Sequence, residues 1–260
     1  MMMLLALILS PGCESLRKPS LCRNPKYVEV MKEQAIAFYN KSNYIEAYKN
    51  IKDAEACKPK DPEVYYLTGM INFKRGKSYD AIESFQKSLS IDHDYTKSRM
   101  ALGMVCLDLQ RWDDAIKEFE TATKDDFYQT PWLAYNNLCY AYLQKGDLAM
   151  AEVSCKQAIK LNKNFCPAYC NLGELYSKQG EAYRTKAIVN YQKAISLCPK
   201  NYARPRFLLA IEYGHMGLFT KACEELVLAS RVQSAPEAER AWEYLRLYNC
   251  PNVVIRTPGQ

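Results

Sequence analysis

Residues Asn137–Asn162 read NLCYAYLQKGDLAMAEVSCKQAIKLN. Apolar side chains fall at helical spacing in two runs, Leu138 to Leu143 and Met150 to Leu161. Between them stands Lys145-Gly146-Asp147, where Gly146 ends one helix and Asp147 opens the next. The stretch predicts a helical hairpin. Small residues that let paired helices approach closely extend the pattern along the chain. Ala35, Gly69 and Gly103 are 34 residues apart, as are Ala47, Ala81 and Ala115.

The register then shifts without breaking. Gly103 to Cys139 and Ala115 to Ala151 are both 36, which places two inserted residues in the Phe127–Pro131 connection. Cys139 to Gly173 returns to 34, Ala151 to Ala187 takes 36 through a longer turn at Gln179–Lys186, and Ala222 follows 35 later. Six units result, beginning near Val28, Pro62, Thr96, Trp132, Cys166 and Ala203. Each second helix carries a further pair four and seven residues past its small residue, such as Phe85 and Ser88 or Tyr191 and Ala194.

This order of small, aromatic and small positions, with Pro59 and Pro199 at unit ends, resembles the tetratricopeptide repeat. The resemblance implies an all-α fold, a right-handed solenoid of six tetratricopeptide helical hairpins plus a C-terminal capping helix. Its core would be a ribbon between neighbouring hairpins. The segments expected are a lipoprotein-type signal over 1–12, a tether over 13–27, six repeats over 28–235, a capping helix over 236–248 and a tail over 249–260. For the capping helix, Ser234 reads as the N-cap, Pro236 as the first turn, and Glu237 as the acidic residue three after the cap. Ala241, Trp242, Leu245 and Leu247 read as its apolar side.

The chain opens MMMLLALILSPGC, an apolar run too short to span a bilayer, then a small residue and Cys13. That order resembles a bacterial lipoprotein signal, in which Cys13 becomes the lipidated first residue. Glu14 follows it, where the usual inner-membrane retention signal has Asp, so the resemblance favours the periplasmic face of the outer membrane.

An oxidising compartment would make the other ten of the eleven cysteines candidates for pairing. In an antiparallel hairpin the start of the first helix lies near the end of the second. By that reasoning Cys166 reaches Cys198 and Cys22 reaches Cys57, and Cys223 reaches Cys250 beside the capping helix. Cys139, Cys155 and Cys170 face one seam, where one pair forms at a time. Cys106, in mid-helix, reads as a small buried apolar residue.

Other chemistries find no support. The net charge of +6 is modest for 35 basic and 29 acidic residues, and no basic run interleaves with aromatics, which disfavours nucleic acid. His93 and His215 stand alone, Asp113-Asp114 marks a helix start, and no nucleophile or phosphate-loop motif occurs. No catalytic residue, cofactor, metal site or small-molecule substrate is expected. The expected activity is binding.

A second stripe on the first helices suggests where. Ile36 and Tyr39, then Tyr66, Met70 and Phe73, then Met100, Met104 and Leu107, then Tyr140 and Leu143, read as an apolar groove for an apolar strand or amphipathic helix. Arrays that clamp an acidic C-terminus converge Lys and Arg in the groove, whereas only Lys32 and Lys74 stand near it here. Six units behind a lipoprotein-like signal resemble the type IV pilus pilotins, the PilF, PilW and Tgl group. Tyr128–Leu138, YQTPWLAYNNL, carries the closer likeness. That resemblance implies an outer-membrane secretin as partner, no nucleic acid, and a membrane reached through the lipid. The alternative is a tetratricopeptide scaffold lipoprotein of another envelope or cell-wall complex. Metabolic labelling with a palmitate analogue is expected to mark the wild-type chain and not Cys13→Ala, and equal labelling of both would remove the anchor.

Overall fold

A computed structural model describes residues 21–24, 26–232 and 235–251. Thirteen α-helices and no strand occur among them. The chain divides into two compact units, Met1–Arg111 and Trp112–Gln260. The first holds α1 (Tyr27–Asn40), α2 (Tyr44–Cys57), α3 (Pro62–Lys74), α4 (Ser78–Ile91) and α5 (Thr96–Asp108). The second begins with α6 (Trp112–Ala122), α7 (Pro131–Lys145), α8 (Leu148–Leu161) and α9 (Cys166–Lys178). A 3-10 turn, Glu181–Tyr183, leads to α10 (Arg184–Leu197), α11 (Arg204–His215), α12 (Phe219–Ser230) and α13 (Pro236–Leu247). The fold is all-helical and of the tetratricopeptide solenoid type.

The small residues that set the register are buried throughout, and so are the pairs four and seven residues beyond them. The reason is steric. A Cβ built on Gly69 would stand 2.5 Å from the Phe85 ring, and one on Gly173 would stand 2.6 Å from Tyr191 and 3.2 Å from the Ala187 carbonyl. The second-helix ring thus lies directly against first-helix backbone. Where the second helix has a serine in place of alanine, its polarity is answered: Ser88 Oγ donates to the Pro62 carbonyl at 2.7 Å and accepts from Ser98 Oγ at 2.7 Å.

The hairpin turns share one device. A residue with positive φ follows the first helix of every repeat: Ser42 (58°), Gly76 (74°), Gln110 (57°), Gly146 (89°), Gly180 (97°) and Gly217 (70°). The left-handed residue turns the next N–H back onto the helix end, so that Lys77 donates to Asn72 and Asp147 to Tyr142, both at 2.9 Å. Asp147 then caps α8 by accepting from the Met150 N–H at 3.1 Å.

At α13 the boundary differs from the expectation. The residue preceding the helix is Ala235 in extended conformation, with no side-chain cap, and Pro236 takes the first turn. Ser234 lies outside the described residues, as do Cys13 and the segment 252–260. Proline explains the shift, because it disfavours helical φ/ψ in the residue before it, and its own missing N–H needs no cap. Ala241 and Leu245 are buried, but Leu247 is exposed and belongs to the outer side of the helix.

Among the described residues four disulfides are present: Cys22–Cys57, Cys139–Cys155, Cys166–Cys198 and Cys223–Cys250. Cys106 and Cys170 are buried thiols outside them. Burial pushes the Cys170 thiol up to about 12, which keeps it protonated and unreactive.

Gly173→Ala is expected to destabilise the second unit by about 1–3 kcal/mol through overpacking, because the added methyl meets both the Tyr191 ring and the α10 backbone. Thermal denaturation followed by circular dichroism measures it, and an unchanged midpoint would contradict the close-approach argument.

Candidate interaction groove

In the first unit, α1 and α3 enclose a cavity of about 270 Å³, its wall including Ile36, Tyr39, Tyr66, Leu67, Met70 and Lys97. Four of these belong to the expected apolar stripe. Leu67 and Lys97 were not anticipated, although Lys97 stands 34 residues after Glu63, another wall residue, and the repeat period alone could have found it. Tyr66 is braced from behind by Phe85 and Tyr95, with ring centroids at 6.2 and 5.9 Å. Tyr39 packs edge-on against Tyr44 at 5.7 Å. Burial pushes the Tyr95 hydroxyl up to about 12.

Each stripe position takes a different place. The residue immediately after the small one is the most consistently open: Ile36 is exposed, Met70 half-buried and Met104 51% exposed. Phe73 and Leu107, four residues after the small one, are half-buried. Two assignments are corrected. Met100, three before Gly103, is buried, whereas Tyr66 at the same position before Gly69 is half-buried and lines the cavity. Leu143 is fully buried, whereas Phe73 and Leu107 at the same distance from their small residues are half-buried. Neither lines an open groove.

In the second unit the same register becomes polar. Tyr140 is half-buried beneath the Arg204 guanidinium, which lies 5.8 Å from its ring centroid. Arg204 donates to Asn171 at 3.1 Å and pairs with Glu174 at 2.5 Å, and Asn171 donates to Asn136 at 3.0 Å. A ladder of side chains thus joins α7, α9 and α11.

Lys32, one of the two cations expected near the groove, is buried in a carboxylate cluster. Its Nζ lies 2.6 Å from Glu63, 2.9 Å from Glu29 and 3.5 Å from Asp61. Burial opposes its charge, but hydrogen bonds to Glu63 and Glu29 and the charge of Asp61 outweigh it, so the ammonium is held above its ordinary value. Burial likewise opposes ionisation of Asp61. The hydrogen bond from Lys58, the Lys32 charge and the Glu63 N–H nevertheless bring its carboxyl below the usual range. Lys32 and Arg204 are therefore already neutralised by the chain's own carboxylates. Among the described residues no group of three or more His, Cys, Asp or Glu is placed to hold a metal ion.

Comparison with known proteins agrees with this architecture. Residues 132–165 and 154–186 match the tetratricopeptide repeat, and residues 40–122 match the family described as anaphase-promoting complex, cyclosome, subunit 3. Among solved structures, PilW, titled a widely conserved type IV pilus biogenesis factor, superposes with a TM-score of 0.71 at 21% identity. The match covers 82% of this chain and 97% of that one. Pseudomonas aeruginosa PilF superposes with a TM-score of 0.69 at 15% identity, covering 88% and 99%. Among curated sequences, the DnaJ homolog subfamily C member 7 homolog of Dictyostelium discoideum is 25% identical over 215 residues, 77% of this chain but 40% of that protein. The chain thus spans well under half the length of the curated relatives it matches. The chain carries tetratricopeptide repeats over residues 132–186, and its fold is of the tetratricopeptide type and resembles that of the pilus factors.

The charge cluster gives a pH dependence of known sign. Asp61 is more acidic folded than unfolded, so its contribution is present above about pH 4 and is lost as pH falls through the folded value. Lys32 has the opposite sign: its contribution is present below about pH 10 and is lost only as pH rises through its raised folded value. Lys32→Met leaves Glu29, Asp61 and Glu63 facing one another. It is expected to cost about 3 kcal/mol near pH 7, with a deficit that shrinks below about pH 4 as the carboxylates protonate. Thermal melts between pH 3 and 8 measure this, and a pH-independent deficit would show that the cluster is not electrostatic.

Proposed function

We propose that the chain is a pilotin-like assembly factor, anchored by lipid at Cys13 on the periplasmic face of the outer membrane, that holds apolar segments of secretin subunits for type IV pili. It acts by binding and not by catalysis. The observation that carries this reading is the largely apolar cavity of the first unit, where Ile36 is exposed and Met70 half-buried beside Tyr39 and Tyr66. Methionine thioethers adapt to different apolar surfaces, and a groove of this kind takes an amphipathic helix or an extended apolar segment.

Three further features support the reading. The fold extends over nearly the whole length of PilW and PilF. Four disulfides suit an oxidising compartment such as the periplasm. The relatives named for chaperone systems suggest a different partner, but Lys32 and Arg204 are spent on internal carboxylates, which leaves them poor ligands for an acidic C-terminus.

Met70→Ser together with Met104→Ser is expected to leave the helical circular dichroism signal and membrane attachment unchanged while lowering secretin multimers in cells at least tenfold. Normal multimer levels in the folded, anchored double variant would exclude this groove. Co-purification of a different envelope complex in place of a secretin would favour the general scaffold alternative.

A further inference from the structure

The outward faces of α8 and α10 differ from those of α6 and α12 in the same unit. Over residues 153–206 Lys and Arg outnumber Asp and Glu ten to two, an excess of eight where the whole chain has six. The arginines of this stretch are occupied: Arg184 pairs with Glu181 and Glu212, Arg204 with Glu174, and Arg206 with Glu225. Of the lysines, Lys156 pairs with Glu152 and Lys186 lies over the Tyr176 and Tyr183 rings. Lys160, Lys163, Lys193 and Lys200 are exposed and form no ion pair among the described residues.

Apolar side chains stand among these charges. Val153 on α8 is 62% exposed and Val189 on α10 is 57% exposed. They lie 36 residues apart, the same step that separates Ala151 from Ala187, so they occupy one register position on neighbouring repeats. Met150, one turn before Val153, is also exposed. At the position of the two valines α6 carries Lys117 and α12 carries Glu224. The apolar pair therefore has charged residues on both sides, and Glu152, the acid nearest to it on α8, is already held by Lys156 and Tyr176.

We propose that this face docks an acidic amphipathic helix of a partner protein, with an apolar row on Met150, Val153 and Val189 and flanking carboxylates on Lys160 and Lys193. Lysines bordering an apolar strip select a partner with Asp and Glu at the borders of its own strip, as charges beside a coiled-coil seam do. A lipid surface fits less well. Interfacial helices anchor through aromatic rings, and Tyr183, just before α10, is stacked on Tyr176 with Lys186 over both. The face belongs to the second unit, and the cavity to the first.

The test uses the whole chain and a fluorescent synthetic helix of about 20 residues with leucines along one stripe and glutamates beside it. An otherwise identical lysine peptide and vesicles of phosphatidylcholine with phosphatidylglycerol serve as comparisons. Anisotropy is expected to show micromolar binding of the glutamate peptide alone, weakening as salt is raised. Affinity should fall at least tenfold for Val153→Ser/Val189→Ser and for Lys160→Glu/Lys193→Glu, whose circular dichroism should match wild type. Met70→Ser/Met104→Ser should leave it unchanged, which keeps failure here distinct from failure of the groove reading. Equal binding of both peptides, undiminished binding by the variants, no peptide binding, or binding to vesicles alone would each overturn the proposal.

Discussion

The fold depends on helices approaching so closely that an aromatic ring touches backbone. Gly69 and Gly173 have no side chain because Phe85 and Tyr191 occupy the space where one would stand. Helix-forming propensity argues against glycine in mid-helix, at a cost of about 1 kcal/mol relative to alanine. Burial of the ring outweighs that cost, since an aromatic side chain removes about 150–250 Å² from water. Once the two helices are that close, the turn between them must be short. A left-handed residue supplies it in every repeat, including Ser42 and Gln110, where no glycine is present.

Within each unit the seams between successive first helices are fixed by polar groups as well as by apolar contact. In the first unit Lys32 of α1 reaches Asp61 and Glu63 at the start of α3. In the second, Asn136, Asn171 and Arg204 connect three first helices. Buried ion pairs gain little net stability over apolar packing, but breaking one partner is costly. Their effect here is on register and on charge. They align helices that apolar side chains alone would let slide, and they neutralise Lys32 and Arg204.

The repeat register was legible in the sequence because it rests on small residues at fixed spacing, a pattern that close packing imposes directly. The groove was only partly legible. Met100 and Leu143 lie at the borders between helix faces, where about 100° per residue leaves two assignments open. The tilt of neighbouring helices, not sequence spacing, decides between them, and both side chains turn inward. Ser42 and Gln110 gave no turn signal because sequence marks left-handed positions only when glycine or asparagine fills them. Lys97 could have been found from its spacing to Glu63, whereas the bracing of Tyr66 by Tyr95 depends on a loop conformation that spacing does not encode.

The disulfides show how such an array can be firm in its hairpins and adaptable at its surface. Cys139–Cys155 and Cys166–Cys198 each join the two helices of one hairpin, across sequence separations of 16 and 32 residues. A cross-link of that span stabilises on the order of 3 kcal/mol, mainly by restricting the unfolded chain. In a one-dimensional array this raises the intrinsic stability of a repeat without stiffening its interface with the next. Small adjustments between hairpins thus remain available at low cost. Open side chains on the first helices, Met70 and Met104 among them, are flexible thioethers that can follow such adjustments. On the proposed reading, specificity rests less on a rigid pocket than on the character of each surface: largely apolar in the cavity of the first unit, basic on the outer face of α8 and α10.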